Sequence, residues 1–124
     1  MTKRILAVDD DKSTCRFISK ALTQHGYHVD TAMDGASALQ LVAQHDYDLA
    51  VLDFHMPDVD GAQLFREIRA TQPNMLAVFL TGDPTLGTVY PAIDSGAGRV
   101  LAKPIGIDEL KQVVEEQLTT RATR

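Results

Sequence analysis

Five short apolar runs, each followed by a stretch with helical spacing, constrain this chain more than any other feature. The runs are "RILAV" (4–8), "YHVDTA" (27–32), "DLAVLD" (48–53), "LAVFLT" (76–81) and "RVLA" (99–102). Their length and their β-branched and aromatic content are those of strands. After them, apolar residues recur three and four apart. Thr14, Phe17, Ile18, Ala21 and Leu22 form one stripe, and Ala38, Leu39 and Val42 a second. Leu64, Phe65 and Ile68 form a third, Leu86, Val89, Tyr90 and Ile93 a fourth, and Leu110, Val113, Val114 and Leu118 a fifth. Each stripe predicts a helix that buries that face. Strict alternation of strand and helix requires crossover connections, hence a parallel sheet. Helices then cover both sheet faces, so central strands read as unbroken apolar runs, as "LAVL" and "LAVFL" do. The expected fold is a doubly wound (βα)5 α/β sandwich of three layers.

Local signals agree. Gly26 falls just past the first helix, where a C-terminal glycine belongs. Asp34 and Asp60 precede helices, where a carboxylate accepts from free backbone N–H groups, and Gln63 three residues after Asp60 resembles a capping box. The fourth helix carries a conflict. Pro91 cannot donate to the Gly87 carbonyl and crowds it, at a cost of roughly 3 kcal/mol in a helix interior. This segment is expected to be shortened, kinked or begun anew near Pro91.

In an open parallel sheet all strand C-termini point to one edge, and ligands bind there. Asp9, Asp10 and Asp11 follow the first strand, Asp53 ends the third, Thr81 ends the fourth and Lys103 follows the fifth. Clustered carboxylates repel by about 4 kcal/mol per pair at 4 Å and an effective dielectric near 20. They need a cation or a raised pKa. A hard divalent cation, Mg²⁺ or Mn²⁺, suits oxygen ligands. With Lys103 and the Thr81 hydroxyl it would surround a phosphoryl group, and Asp53 would be the nucleophile. Taken alone, "DDD" after a strand reads as a solvated turn or helix cap; the convergence of different residue types on one edge gives it meaning.

Composition narrows the class. The chain has 124 residues, 44% hydrophobic and 23% charged, which suits a single globular domain. We place that domain over 1–118 and read 119–124, "TTRATR", as a tail or the start of a linker. A net charge of -5 argues against direct nucleic-acid binding. No apolar run reaches the length of a membrane span, and "MTKRILAV" reads as the first strand rather than a signal peptide. Cys15 is the only cysteine, which points to packing and a cytoplasmic setting.

The segments "ILAVDDD", "DFHMPDVDG", "LTG" and "GAGRVLAKP", with their spacing, resemble the receiver domain of bacterial two-component response regulators. The resemblance runs from Lys3 to about Leu118 and implies the flavodoxin-like sheet order 2-1-3-4-5. It implies that Asp53 accepts a phosphoryl group from a sensor histidine kinase or a histidine phosphotransfer protein. It implies Mg²⁺ ligation by Asp9, Asp10, Asp53 and the His55 backbone carbonyl. It also implies a mobile Thr81 hydroxyl, pairing of Lys103 with the phosphoryl group, a loop shaped by Met56 and Pro57, and a cis Lys103–Pro104 peptide. The resemblance further implies that His55 and Asp83 fall at positions that tune dephosphorylation. Signalling would pass through the helix-four, strand-five, helix-five face to an output domain or partner protein, and a homodimer is open. The domain would be no enzyme beyond weak autophosphorylation and autodephosphorylation. One departure stands out: Val100 occupies the switch position where the family usually has Phe or Tyr, so a rotating ring is not available here. That departure keeps open an alternative, an interaction module that works independently of phosphorylation.

Overall fold

The computed structural model describes residues 2–122. Strands β1 (Arg4–Val8), β2 (His28–Ala32), β3 (Leu49–Asp53), β4 (Leu76–Thr81) and β5 (Arg99–Ala102) alternate with five helices. These are α1 (Lys12–Gln24), α2 (Gly35–Gln44), α3 (Gly61–Thr71), α4 (Leu86–Asp94) and α5 (Ile107–Ala122). The strands form one parallel sheet in the order β2-β1-β3-β4-β5. The chain moves outward from β1 to β2, then returns to β3 and continues to β5. The direction therefore reverses beside β1 and β3, and a crevice opens at their C-terminal ends.

Side-chain alternation along the strands divides the core into two layers. Leu6, Val8, Ala50, Leu52, Ala77 and Phe79 pack with residues of α2, α3 and α4. Ile5, Ala7, Leu49, Val51, Val78, Leu80 and Leu101 pack with α1 and α5. All residues of β3 are buried, as expected of a central strand covered on both faces. Among the described residues no helix is long and apolar enough to cross a membrane.

The caps form where the short polar residues predict them. Asp34 Oδ1 accepts from the Ser37 N–H at 2.7 Å, and Asp60 Oδ1 from the Gln63 N–H at 2.8 Å. Gly26 closes α1 with a φ of 95°, a region that costs a side-chain-bearing residue about 1 kcal/mol or more.

Helix α4 meets one expectation, that of a shortened helix, and corrects another, that of its apolar face. It is the shortest of the five at nine residues, but it does not restart at Pro91, which lies inside it. Gly87 is exposed, so water can satisfy the carbonyl that Pro91 leaves without a donor. Ser95 closes the end, its hydroxyl donating to the Ala92 carbonyl at 2.6 Å. The predicted apolar stripe is not the buried face: Tyr90 is 71% exposed and Ile93 58%, while Ala92 and Ser95 are buried. Two large residues at helical spacing read as core, but the small face of Ala92 is what lies against the sheet. At the C-terminus, α5 is helical through Ala122, so most of "TTRATR" continues the helix.

Candidate functional site

Asp9 leaves β1 as a buried carboxylate. Its backbone N–H still donates to the Ala32 carbonyl of β2 at 3.1 Å, which prolongs the ladder by one residue. Its Oδ1 accepts from the Asp11 N–H at 2.9 Å, and its Oδ2 accepts from Lys103 Nζ at 2.9 Å. The Cys15 thiol, buried beneath, donates to the Asp9 carbonyl at 3.2 Å. Asp53, also buried, ends β3; its Oδ1 accepts from the His55 N–H at 3.3 Å and lies 3.4 Å from Lys103 Nζ. Asp10 is exposed at the mouth. One carboxylate oxygen from each of Asp9, Asp10 and Asp53 falls within 4.8 Å of the others.

Electrostatics follows from this spacing. Burial pushes the Asp53 pKa up to about 6, and the charge of Asp9 pushes the same way; Lys103 and the His55 N–H only partly offset them. Burial alone would lower Lys103, but its hydrogen bond to Asp9 and the charges of Asp53 and Asp9 hold it above the usual lysine range. One lysine thus serves two carboxylates, and three anions at this separation remain undercompensated. Oxygen-only donors, two buried and one open to solvent, suit a hard divalent cation better than a soft one. The residues fit such an ion on their own chemistry.

Thr81 ends β4 fully buried. Its hydroxyl accepts from the Asp83 N–H at 2.9 Å and donates to the Asp83 carbonyl at 3.2 Å. The Lys103 N–H donates to the Thr81 carbonyl at 2.7 Å, which ties the end of β5 to the end of β4. The Lys103–Pro104 bond is cis. Asp83 itself is exposed.

The loop from Phe54 to Asp60 is pinned in three places. His55 bridges Asp60 in antiparallel pairing, and the Gly61 N–H donates to the Phe54 carbonyl at 2.8 Å. A side chain at Gly61 would place Cβ 2.8 Å from the Asp53 carbonyl oxygen, Phe54 Cα and Phe79 Cε1 alike, so only glycine fits. Asp58 Oδ2 accepts from the Gly35 N–H at 2.9 Å and anchors the loop to the start of α2. Sequence reasoning missed Asp58, because a contact between residues 23 apart leaves no local signal. Met56 packs on the α2–α3–α4 layer, and the His55 side chain is exposed.

Asp11 corrects the expectation that all three aspartates converge. It is the N-cap of α1, accepting from the Ser13 N–H at 3.3 Å and the Thr14 hydroxyl at 2.7 Å. These donors, the Thr14 hydroxyl foremost, hold its pKa below the usual carboxylate value. Val100 is half-buried, paired with Phe79 across the β4–β5 ladder and packed on the α2–α3–α4 layer.

Comparison with known proteins agrees with this geometry. The response regulator receiver domain profile matches residues 5–115. Response regulator MprA of Mycobacterium sp. (strain KMS) is 36% identical over 110 residues, 89% of this chain and 48% of that protein. Transcriptional regulatory protein GlrR of Escherichia coli (strain K12) is 35% identical over 118 residues, 95% of this chain and 27% of that protein. The chain thus spans half or less of these curated relatives. A CheY-like receiver domain from Methanospirillum hungatei JF-1 superposes with a TM-score of 0.94 at 27% identity, covering 99% of this chain and 98% of that one. The receiver domain of an HD domain-containing protein from Pseudomonas fluorescens Pf-5 gives 0.93 at 30% identity, with both chains fully covered.

Proposed function

The chain belongs to the response regulator receiver domain family of two-component signalling, and on that premise we propose that Asp53 is its phosphoacceptor. The observation that carries the proposal is the placement of Lys103, whose Nζ lies 2.9 Å from Asp9 and 3.4 Å from Asp53 at one sheet edge. The donor is a phosphohistidine on a sensor kinase or phosphotransfer protein. An Asp53 oxygen forms a bond to phosphorus while the bond from phosphorus to the imidazole nitrogen breaks, its electron pair staying on nitrogen. Asp53 must be ionised to attack, and a pKa of about 6 leaves most of it ionised at pH 7.

Asp9, Asp10, Asp53 and the His55 carbonyl would hold Mg²⁺ or Mn²⁺. When bound, that cation neutralises carboxylate charge and draws charge from the phosphoryl oxygens. Lys103 exchanges its Asp53 contact for a phosphoryl oxygen while keeping Asp9. Thr81 releases Asp83 and turns its hydroxyl to the same group. Hydrolysis later returns Asp53 as water takes the phosphoryl group, and His55 and Asp83 set how readily water enters. These steps give the weak autophosphorylation and autodephosphorylation of the domain.

Freed from Thr81, the β4–α4 loop passes the change to α4, β5 and α5. Tyr90 and Ile93 lie bare on α4, which supports an output surface there for a partner protein or a linked output domain, or for a second copy. More than half of each of the two curated relatives lies outside the matched region, and one is named a transcriptional regulatory protein. We place the domain in the cytoplasm, where such donors act.

The test is intact mass after incubation with Mg²⁺ and a small acyl phosphate. Wild type should gain one phosphoryl group, and neither Asp53→Asn nor chelator-treated protein should. Equal labelling of Asp53→Asn would remove Asp53 from this role.

A further inference from the structure

A second surface lies at the other side of α1, on the open edge of the sheet. β2 is a terminal strand and pairs only with β1. Val29 and the preceding Tyr27 pack into the α1–α5 layer, whereas Thr31 and Met33, which follows the strand, emerge beside α1. Thr31 is exposed and Met33 is 45% exposed. A groove of about 540 Å³ runs between them and α1. Lys12, Arg16 and Lys20 line its helix side, all exposed. Helix α1, "KSTCRFISKALTQ", contains no acidic residue, and among the described residues none of the three cations has an ion-pair or hydrogen-bond partner. Three unpaired cations in a row are conspicuous in a chain of net charge -5.

We propose that this groove binds an extended acidic segment of a partner protein, added as a strand beside β2 with alternate carboxylates against Lys12, Arg16 and Lys20. The spacing favours it. Four residues of helix rise about 6 Å, and two residues of strand span about 6.7 Å. Carboxylates at every second position of an extended chain therefore keep step with the cations. An extended chain also satisfies the free N–H and C=O groups on the β2 edge, which a docked helix leaves open. Met33 adds an adaptable apolar contact. The groove lies on the sheet edge opposite β5, so its occupation leaves the α4–β5–α5 face free. The inference does not depend on phosphorylation of Asp53.

The experiment compares two labelled peptides by fluorescence polarisation. One alternates Glu with Val; the other has the same composition with its glutamates in one block. The alternating peptide should bind at least tenfold tighter, weaken as salt rises from about 50 to 300 mM, and lose at least tenfold on a Lys12→Glu, Arg16→Glu, Lys20→Glu variant. Acyl-phosphate labelling of that variant reports that its fold is intact. Independently of any variant, the peptide should shift the backbone amide resonances of residues 28–32 in the wild type. Equal affinity for both peptides, undiminished binding to the triple variant, or unmoved β2 amides would overturn the proposal. So would preference for a helical acidic peptide or a single-stranded nucleic acid, or self-association through this face.

Discussion

Asp53 is held between opposing electrostatic influences. Burial and Asp9 raise its pKa to about 6, so the folded protein binds its proton more tightly than the unfolded chain does. The sign follows by linkage: the contribution is fully present below the unfolded pKa near 4 and is lost as pH rises through about 6. In a chelator, wild type should therefore lose stability between about pH 4 and 7 relative to Asp53→Asn. The difference should be about 2–3 kcal/mol, measured by denaturant melts at several pH values. Parallel pH profiles for the two proteins would contradict the assignment. Asp53 and Lys103 could be named from the sequence because each ends or follows its own strand. Strand placement alone could not separate Asp11 from Asp9 and Asp10, since three identical residues in a row differ only in where the backbone turns; the family resemblance left Asp11 out of the ligand set.

At the scale of elements, α4 is the least regular part of the fold. Pro91 removes one hydrogen bond in a helix of nine residues. Pro91→Ala should restore a donor to the Gly87 carbonyl and stabilise the domain by about 1–3 kcal/mol, visible as a raised Tm. A lower Tm would mean that proline is fitted to its site. On the same helix, the exposure of Tyr90 and Ile93 separates stability from signalling. The double variant Tyr90→Ala, Ile93→Ala should change stability by no more than about 0.5 kcal/mol per site. Phosphoryl incorporation should stay normal while output-partner binding falls, as titration calorimetry with that partner would show. The periodicity that predicted this stripe was correct about the helix and wrong about its inner face. Apolar spacing reports a pattern, not which neighbour covers it, and a surface for another molecule has the same pattern as a core.

For the whole molecule, a divalent cation held at the acidic mouth would link folding to cation binding. An ion that binds only the folded chain stabilises it by RT ln(1 + [L]/Kd), about 2.7 kcal/mol at one hundred times Kd. Mg²⁺ should therefore raise the unfolding midpoint of wild type with a logarithmic dependence on concentration. Asp10→Asn should need several-fold more Mg²⁺ for the same shift. The dependence should weaken below about pH 6, where a proton competes for Asp53. Unchanged midpoints across the titration would show that the carboxylates hold no divalent cation.

Strand and helix order, the parallel sheet and its both-sided burial were legible in the sequence, because short unbroken apolar runs and the 3.6-residue helical pattern are local features. The caps at Asp34 and Asp60 were legible for the same reason, since a cap is a contact within one turn. The convergence of Asp9, Asp53 and Lys103 followed once the strands were parallel, because parallel strands bring their C-termini to one edge. Only the tertiary structure decided what depends on distant partners. Lys103 meets both carboxylates, Asp58 holds the start of α2 across 23 residues, and the flank of α1 stands unpaired beside the open edge of β2. Such contacts are set by packing and by charge across space, and a linear pattern carries no record of either.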